Sequence, residues 1–152
     1  MEKFEKLKKE FGLPSFEELA ERFELSVKAD EEPTLQAVRN EITERLYDAA
    51  KTIESMIFPR EGGDPDILYI EKMIENLTDD CHTLYKDLNH LYTRGVRLKF
   101  EHNRKEDAEF IKTVFDVWPK FEAKLKILFK TIEEGWKKTD LNSEVNEEVY
   151  HG

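Results

Sequence analysis

Apolar residues recur three and four apart along most of the chain, the spacing of one face of an α-helix. In residues 2–11, Phe4, Leu7 and Phe11 mark a short amphipathic helix that Gly12 and Pro14 stop. Ser15 with Glu18 three residues on is a capping box, and Phe16, Leu19, Ala20 and Phe23 give the helix it opens one apolar face. Residues 26–32 read as a connection. Pro33 suits the first position of a long helix, where a missing N–H costs nothing. The stripe of that helix is Leu35, Val38, Ile42, Leu46, Ala49, Ile53 and Met56, up to Phe58. PREGGDP (59–65) then breaks the chain, with Asp64 placed to cap the next helix and Pro65 to open it.

The most regular pattern spans 67–98. Ile67, Ile70, Ile74, Leu77, Cys81, Leu84, Leu88, Leu91, Gly95 and Leu98 alternate three and four apart, an a/d seam of the kind that packs antiparallel bundles. Gly95 on this seam either allows close helix approach or ends the helix early; because Leu98 keeps the register beyond it, the helix is expected to continue to about Phe100. Asn103 with Glu106 is a second capping signal. The last helix carries a seam of Ile111, Val114, Trp118, Phe121, Leu125, Leu128 and Ile132, with Phe115, Phe129 and Trp136 in a second row beside it, and is expected to end near Lys138. Pro119 predicts a kink at Trp118. Residues 140–152 read as a polar, flexible tail.

No strand pattern competes. The expected fold is all-α: an up-and-down antiparallel helical bundle occupying residues 1–139, with three long helices and the two short N-terminal helices acting as a broken fourth. The second aromatic row implies either two helical neighbours within the bundle or a second subunit. Tyr85 and Tyr92 flank the other seam in the same way.

Composition agrees with helices. The 152 residues include only six glycines and five prolines, and 38% are charged. A chain of this length buries a core without disulfides or metal, and the single cysteine, Cys81, excludes an internal disulfide. The single glutamine, Gln36, beside abundant Lys and Glu leans toward a thermophile-like composition. The start MEKFEKLKKE does not resemble a signal peptide, and no apolar run approaches the roughly 18 residues of a membrane span. A cytoplasmic location is therefore expected. Net charge is −10, which repels phosphate backbones over the surface as a whole. The segment 94–105, RGVRLKFEHNRK, departs from this: Arg94, Arg97, Lys99, Arg104 and Lys105 against Glu101 make it +4, leaving −14 for the rest. Nucleic acid is conceivable at that corner alone.

Chemistry is sparse. Asp79/His82 and Asp87/His90 have metal-ligand spacing but share one helix beside the seam, and the seam of 67–98 has no inward carboxylate, so no metal site and no cofactor are expected. Phosphate-binding glycine loops are absent, and Cys81 on an apolar seam reads as a small buried hydrophobe. The pairs Glu18/Glu21 and Glu41/Glu44 have the Glu-x-x-Glu spacing seen in helical nucleotide pyrophosphatases, but the downstream Glu-x-x-Asp is missing.

Arg97 and His102, with four residues between them, resemble the Arg-x4–6-His signature of HEPN domains, helical bundles that include metal-independent ribonucleases. The resemblance covers six residues of the 152. It implies that Arg97 contacts or orients phosphate while His102 acts as acid or base toward a ribose hydroxyl, a role suited to a pKa near neutrality. The chain departs from the common form in carrying Leu98, a seam residue, after the arginine.

No constellation places two catalytic groups together, so the leading expectation is non-enzymatic: an interaction or assembly module that meets a protein partner or a copy of itself. It would use the aromatic face, with Phe115, Phe129, Trp136, Tyr85 and Tyr92, or the basic corner of Arg94, Arg97, Lys99, Arg104 and Lys105. The alternatives are the HEPN-like ribonuclease or RNA-binding bundle and, third, a metal-dependent nucleotide pyrophosphatase.

Overall fold

The computed structural model describes the backbone of residues 2–57 and 65–151, and the side chains within it except those of residues 2, 65–68 and 139–151. Helix accounts for most of the described residues, and no strand occurs among them. The helices are α1 (Glu2–Phe11), α2 (Phe16–Phe23), α3 (Leu35–Ile57), α4 (Pro65–Met73), α5 (Thr78–Lys99) and α6 (Arg104–His151). The architecture is the expected all-α antiparallel bundle, with α3, α5 and α6 at its centre. The PREGGDP break and its cap Asp64 lie largely outside the described residues.

Several boundaries differ from the sequence expectation. The seam of 67–98 is not one helix: Met73 ends α4, and a 3-10 turn over Glu75–Leu77 leads into α5. Ile70, Ile74 and the seam residues Cys81, Leu84, Leu88, Leu91, Gly95 and Leu98 stay buried, whereas Leu77 is half-buried. Heptad spacing reports which side faces the core, and a tight turn at a helix junction preserves that side. In α3, Thr34 is the cap, its Oγ1 accepting from the Ala37 amide at 3.1 Å, so Pro33 precedes the helix instead of opening it. The buried stripe of α3 also slips by one, running through Ala50 and Ile57 where Ala49 and Met56 were expected. Both cap signals hold: Ser15 Oγ accepts from the Glu18 amide and Asn103 Oδ1 from the Glu106 amide, each at 3.1 Å. The α6 backbone stays helical to His151, beyond the expected end near Lys138. Residues 139–151 contain neither proline nor glycine to stop it.

α3 and α5 run antiparallel, as their contacts show. Glu54 meets Tyr85, Tyr47 meets Tyr92, Thr43 meets Gly95 and Arg39 meets Leu98, so one number falls as the other rises. Gly95 sets their closest approach. A β-carbon there would overlap Thr43 Oγ1 and come within 2.9 Å of Phe110 Cζ, which is why the helix continues through a glycine at this point.

Pro119 lies inside α6, and the helix passes through Trp118 and Pro119 without ending. Proline has no N–H to bond the carbonyl four residues earlier, that of Phe115. Arg22 of α2 supplies the missing donor: its Nη1 bonds the Phe115 oxygen at 2.7 Å, and its guanidinium lies 3.8 Å from the centre of the Phe115 ring. Two further cations fasten the short helices at their C-terminal carbonyls, where positive charge also suits the helix dipole. Lys112 Nζ bonds the Phe11 oxygen at 2.8 Å, and Arg45 bonds the oxygens of Phe23 at 2.8 Å and Glu24 at 2.9 Å. Glu41 holds the connection between α2 and α3 by accepting from the Ser26 amide at 2.7 Å and the Ser26 hydroxyl.

Among the described residues the core is apolar except for Arg39 and Asp107. Arg39 Nη1 lies 2.8 Å from Asp107 Oδ1 and 3.4 Å from the Leu98 oxygen, and Nη2 bonds Asn40 Oδ1 at 3.0 Å. Arg39 Nε is buried without a hydrogen-bond partner. The sequence pattern gave no sign of this pair, because a charged residue beside a seam usually faces water.

Two expectations follow. Replacing Asp107 by alanine strands a buried guanidinium and is expected to cost about 3–5 kcal/mol in urea unfolding, whereas Arg39→Met with Asp107→Leu recovers most of that loss. Arg22→Met leaves the Phe115 carbonyl without its donor and is expected to cost about 1–3 kcal/mol, a penalty that shrinks in a Pro119→Ala background, where the backbone amide returns. Equal penalties in both backgrounds would show that Arg22 does not compensate for the proline.

Candidate interaction groove

An open groove of about 560 Å³ lies between α3 and α5. From α3 it is lined by Asn40, Thr43, Glu44, Tyr47 and Asp48, and from α5 and its cap by Tyr92, Gly95, Val96, Lys99 and Phe100. Both sets follow the spacing i, i+3, i+4, i+7, i+8, one face of each helix, over about 12 Å at 1.5 Å per residue. Gly95, having no side chain, leaves the floor low. The antiparallel register gives the groove two unlike ends. At one, the Tyr47 and Tyr92 rings pack 5.3 Å apart beside Asp48; at the other stand Asn40, Lys99 and Phe100.

Phe100 is 75% exposed and Tyr47 41% exposed. A phenylalanine left this far in water at a helix end contributes little to the core, and aromatic side chains around a concavity are typical of binding surfaces. The acids Glu44 and Asp48 rim the α3 side. Asp48 also lies 3.7 Å from Arg45, an exposed and weak pairing.

Of the aromatics expected at an interface, Tyr92 lines the groove. Tyr85 is half-buried, and its hydroxyl donates to Glu54 Oε2 at 3.0 Å. Burial, and then the Glu54 carboxylate, push its pKa up. Phe115 lies under Arg22, Trp136 stands 6.2 Å from Tyr69, and Phe129 is half-buried against the core. The second aromatic row of α6 thus has neighbours within the bundle.

The basic corner is laced with acids. Arg97 is exposed and lies 2.6 Å from Glu101 and 3.7 Å from Glu106. The hydrogen bond to Glu101 raises the arginine pKa and holds the Glu101 carboxyl below the usual range. Arg104 lies 3.7 Å from Glu10 and 5.5 Å from the centre of the Phe11 ring, and Arg94 lies 5.9 Å from that of Phe110. Lys99 faces the groove and Lys105 is exposed. His102 is exposed with φ +53°, a left-handed turn between α5 and α6. Phosphate approaching Arg97 would compete with two carboxylates for the guanidinium.

The remaining candidates are dispersed. His82 and His90 are exposed, Glu18 belongs to the α2 cap, Glu41 holds the α2–α3 connection, and Glu44 lies on the groove. Among the described residues no three of His, Cys, Asp and Glu are grouped to hold a metal ion. Cys81 is buried; burial and then Asp80 raise its pKa, which disfavours the reactive thiolate. No helix among the described residues is long and apolar enough to cross a membrane. No family model, curated protein or solved structure matches the chain.

The Arg97–Glu101 pair predicts a pH signature. A carboxylate whose folded-state pKa is depressed stabilises the fold above its unfolded pKa and loses that contribution as pH falls through the folded value. The Glu101 carboxyl is therefore expected to titrate below the usual carboxylate range in carbon-detected NMR, and Arg97→Gln to move it back up toward that range. An unmoved titration would show that Arg97 does not hold it.

Proposed function

We propose that the chain is a non-enzymatic interaction and assembly module that seats a protein partner, or a copy of itself, in the α3–α5 groove. The observation that carries the reading is Phe100, three-quarters exposed at the end of a concavity that also presents Tyr47 and Tyr92. Apolar rings around a polar rim are the composition of an interface core. The groove replaces the α6 aromatic row as the leading surface because Phe115, Phe129 and Trp136 are packed within the bundle, while Tyr47 and Phe100 face water. The acidic rim of Glu44 and Asp48 favours an occupant that brings positive charge to that edge.

The ribonuclease alternative places its chemistry at Arg97 and His102. Phosphate there would displace Glu101 and Glu106, and no observed geometry favours this reading over the groove. The pyrophosphatase alternative relies on the pairs Glu18/Glu21 and Glu41/Glu44; the Glu41 carboxylate is already taken by Ser26 and Val27, and the downstream Glu-x-x-Asp is missing from the sequence.

The test is a titration of isotopically labelled protein with a synthetic amphipathic helix of leucine and lysine, followed by amide shifts, beside a labelled structured RNA at low salt without metal. The expected result is shifts centred on Tyr47, Gly95 and Phe100, weakened by Phe100→Ser, with the RNA neither cleaved nor bound. RNA cleavage that disappears in His102→Ala would establish the ribonuclease instead. Peptide shifts that avoid the groove would remove it as the binding surface.

A further inference from the structure

We infer that a small hollow between α5 and α6 binds a free apolar α-amino acid of about the size of leucine. The site shares no residue with the α3–α5 groove and does not rest on that reading. Its volume is about 120 Å³. From α5 it is lined by Leu77, Cys81 and Leu84, at i, i+4 and i+7 on one face of the helix, and from α6 by Leu128. Cys81, Leu84 and Leu128 are buried and Leu77 is half-buried, so the floor is apolar. Cys81 belongs to that floor as a neutral thiol, since burial and then Asp80 raise its pKa. An apolar cavity of about 150 Å³ holds one benzene ring. The side chain of leucine, isoleucine or methionine therefore fits this hollow, and an indole overfills it.

Two opposite charges stand at its mouth. Asp80 comes from α5 and Lys124 from α6; both are exposed and both line the hollow. Among the described residues neither is held in an ion pair, with the other or with a third group. A carboxylate and an ammonium on opposite helices, with an apolar hollow between them, match the two charged ends of a zwitterion whose side chain fills the hollow. The ammonium of the ligand meets Asp80, its carboxylate meets Lys124, and its side chain displaces water from Cys81, Leu84 and Leu128. A fatty acid or a simple amine would satisfy one charge only, and a residue inside a peptide chain carries neither. The free amino acid is the class that uses both. Ile127, 58% exposed beside the hollow, adds an apolar wall that the bundle interior does not use.

The test is a titration of the isotopically labelled full chain with leucine, up to the solubility of the amino acid and followed by amide shifts. It is run beside isocaproate, which is leucine without its ammonium, and isoamylamine, which is leucine without its carboxylate. The expected result is leucine shifts centred on Cys81, Leu84 and Leu128, with each analogue binding at least about fivefold more weakly for want of one charged contact. Asp80→Asn weakens leucine and leaves isocaproate unchanged, whereas Lys124→Gln weakens leucine and leaves isoamylamine unchanged. Both side chains are exposed, so the thermal unfolding curves of the two variants stay with that of the parent. Leucine that produces no shifts at these residues would overturn the inference. Analogues that bind as well as leucine, or charge variants that weaken all three ligands alike, would overturn it too, because the hollow would then take apolar groups without reading their charge.

Discussion

The arrangement of the three central helices turns on one buried ion pair. Arg39 of α3 reaches Asp107 in the first turn of α6 and also the Leu98 carbonyl at the end of α5, so a single guanidinium contacts all three at the α5–α6 corner. Burying such a pair gains little net stability, because desolvation offsets most of the attraction. What it supplies here is registry. An apolar seam tolerates sliding by a turn; a buried arginine with one matching carboxylate does not. That register sets Gly95 opposite Thr43 and leaves Phe100, two residues after Leu98, at the mouth of the groove.

A second set of cations joins the N-terminal helices to this frame. Lys112 and Arg45 satisfy the last carbonyls of α1 and α2, and Arg22 satisfies the carbonyl that Pro119 orphans in α6. Hydrogen bonds from charged donors to otherwise unpaired carbonyls are among the stronger ones. The short helices thus contribute more than an apolar lid: α2 carries the group that lets α6 accommodate a proline without ending. The same logic applies to the basic corner, where Glu10, Glu101 and Glu106 absorb much of the positive charge that stands out in the sequence.

The proposed function draws on what the bundle leaves exposed. The α6 aromatics are covered by neighbouring side chains, whereas the α3–α5 face keeps an aromatic pair, an exposed phenylalanine and opposite charges at its two ends. Exposed rings beside an acidic rim are the features on which the proposed docking rests.

Helical class, the approximate position of every long helix, two of the N-caps and most core residues were legible in the chain, because apolar spacing and capping chemistry are local properties. Leu84, Leu88 and Leu91 of α5 are buried as their spacing required, and Ser15 and Asn103 cap as their neighbours required. Spacing could not reveal the break at Glu75–Leu77, since a 3-10 turn keeps the same side inward. Nor could it reveal the acceptance of Pro119, which depends on Arg22, 93 residues from Phe115 in sequence. Arg39 with Asp107, and the groove formed by two separate helix faces, belong wholly to tertiary structure. Which polar residue is buried, and which apolar one remains in water, depends on the partner that another part of the chain presents. The sequence by itself determined that helices form and which faces they bury; only packing decided that Gly95 would meet Thr43 and that Phe100 would be left outside.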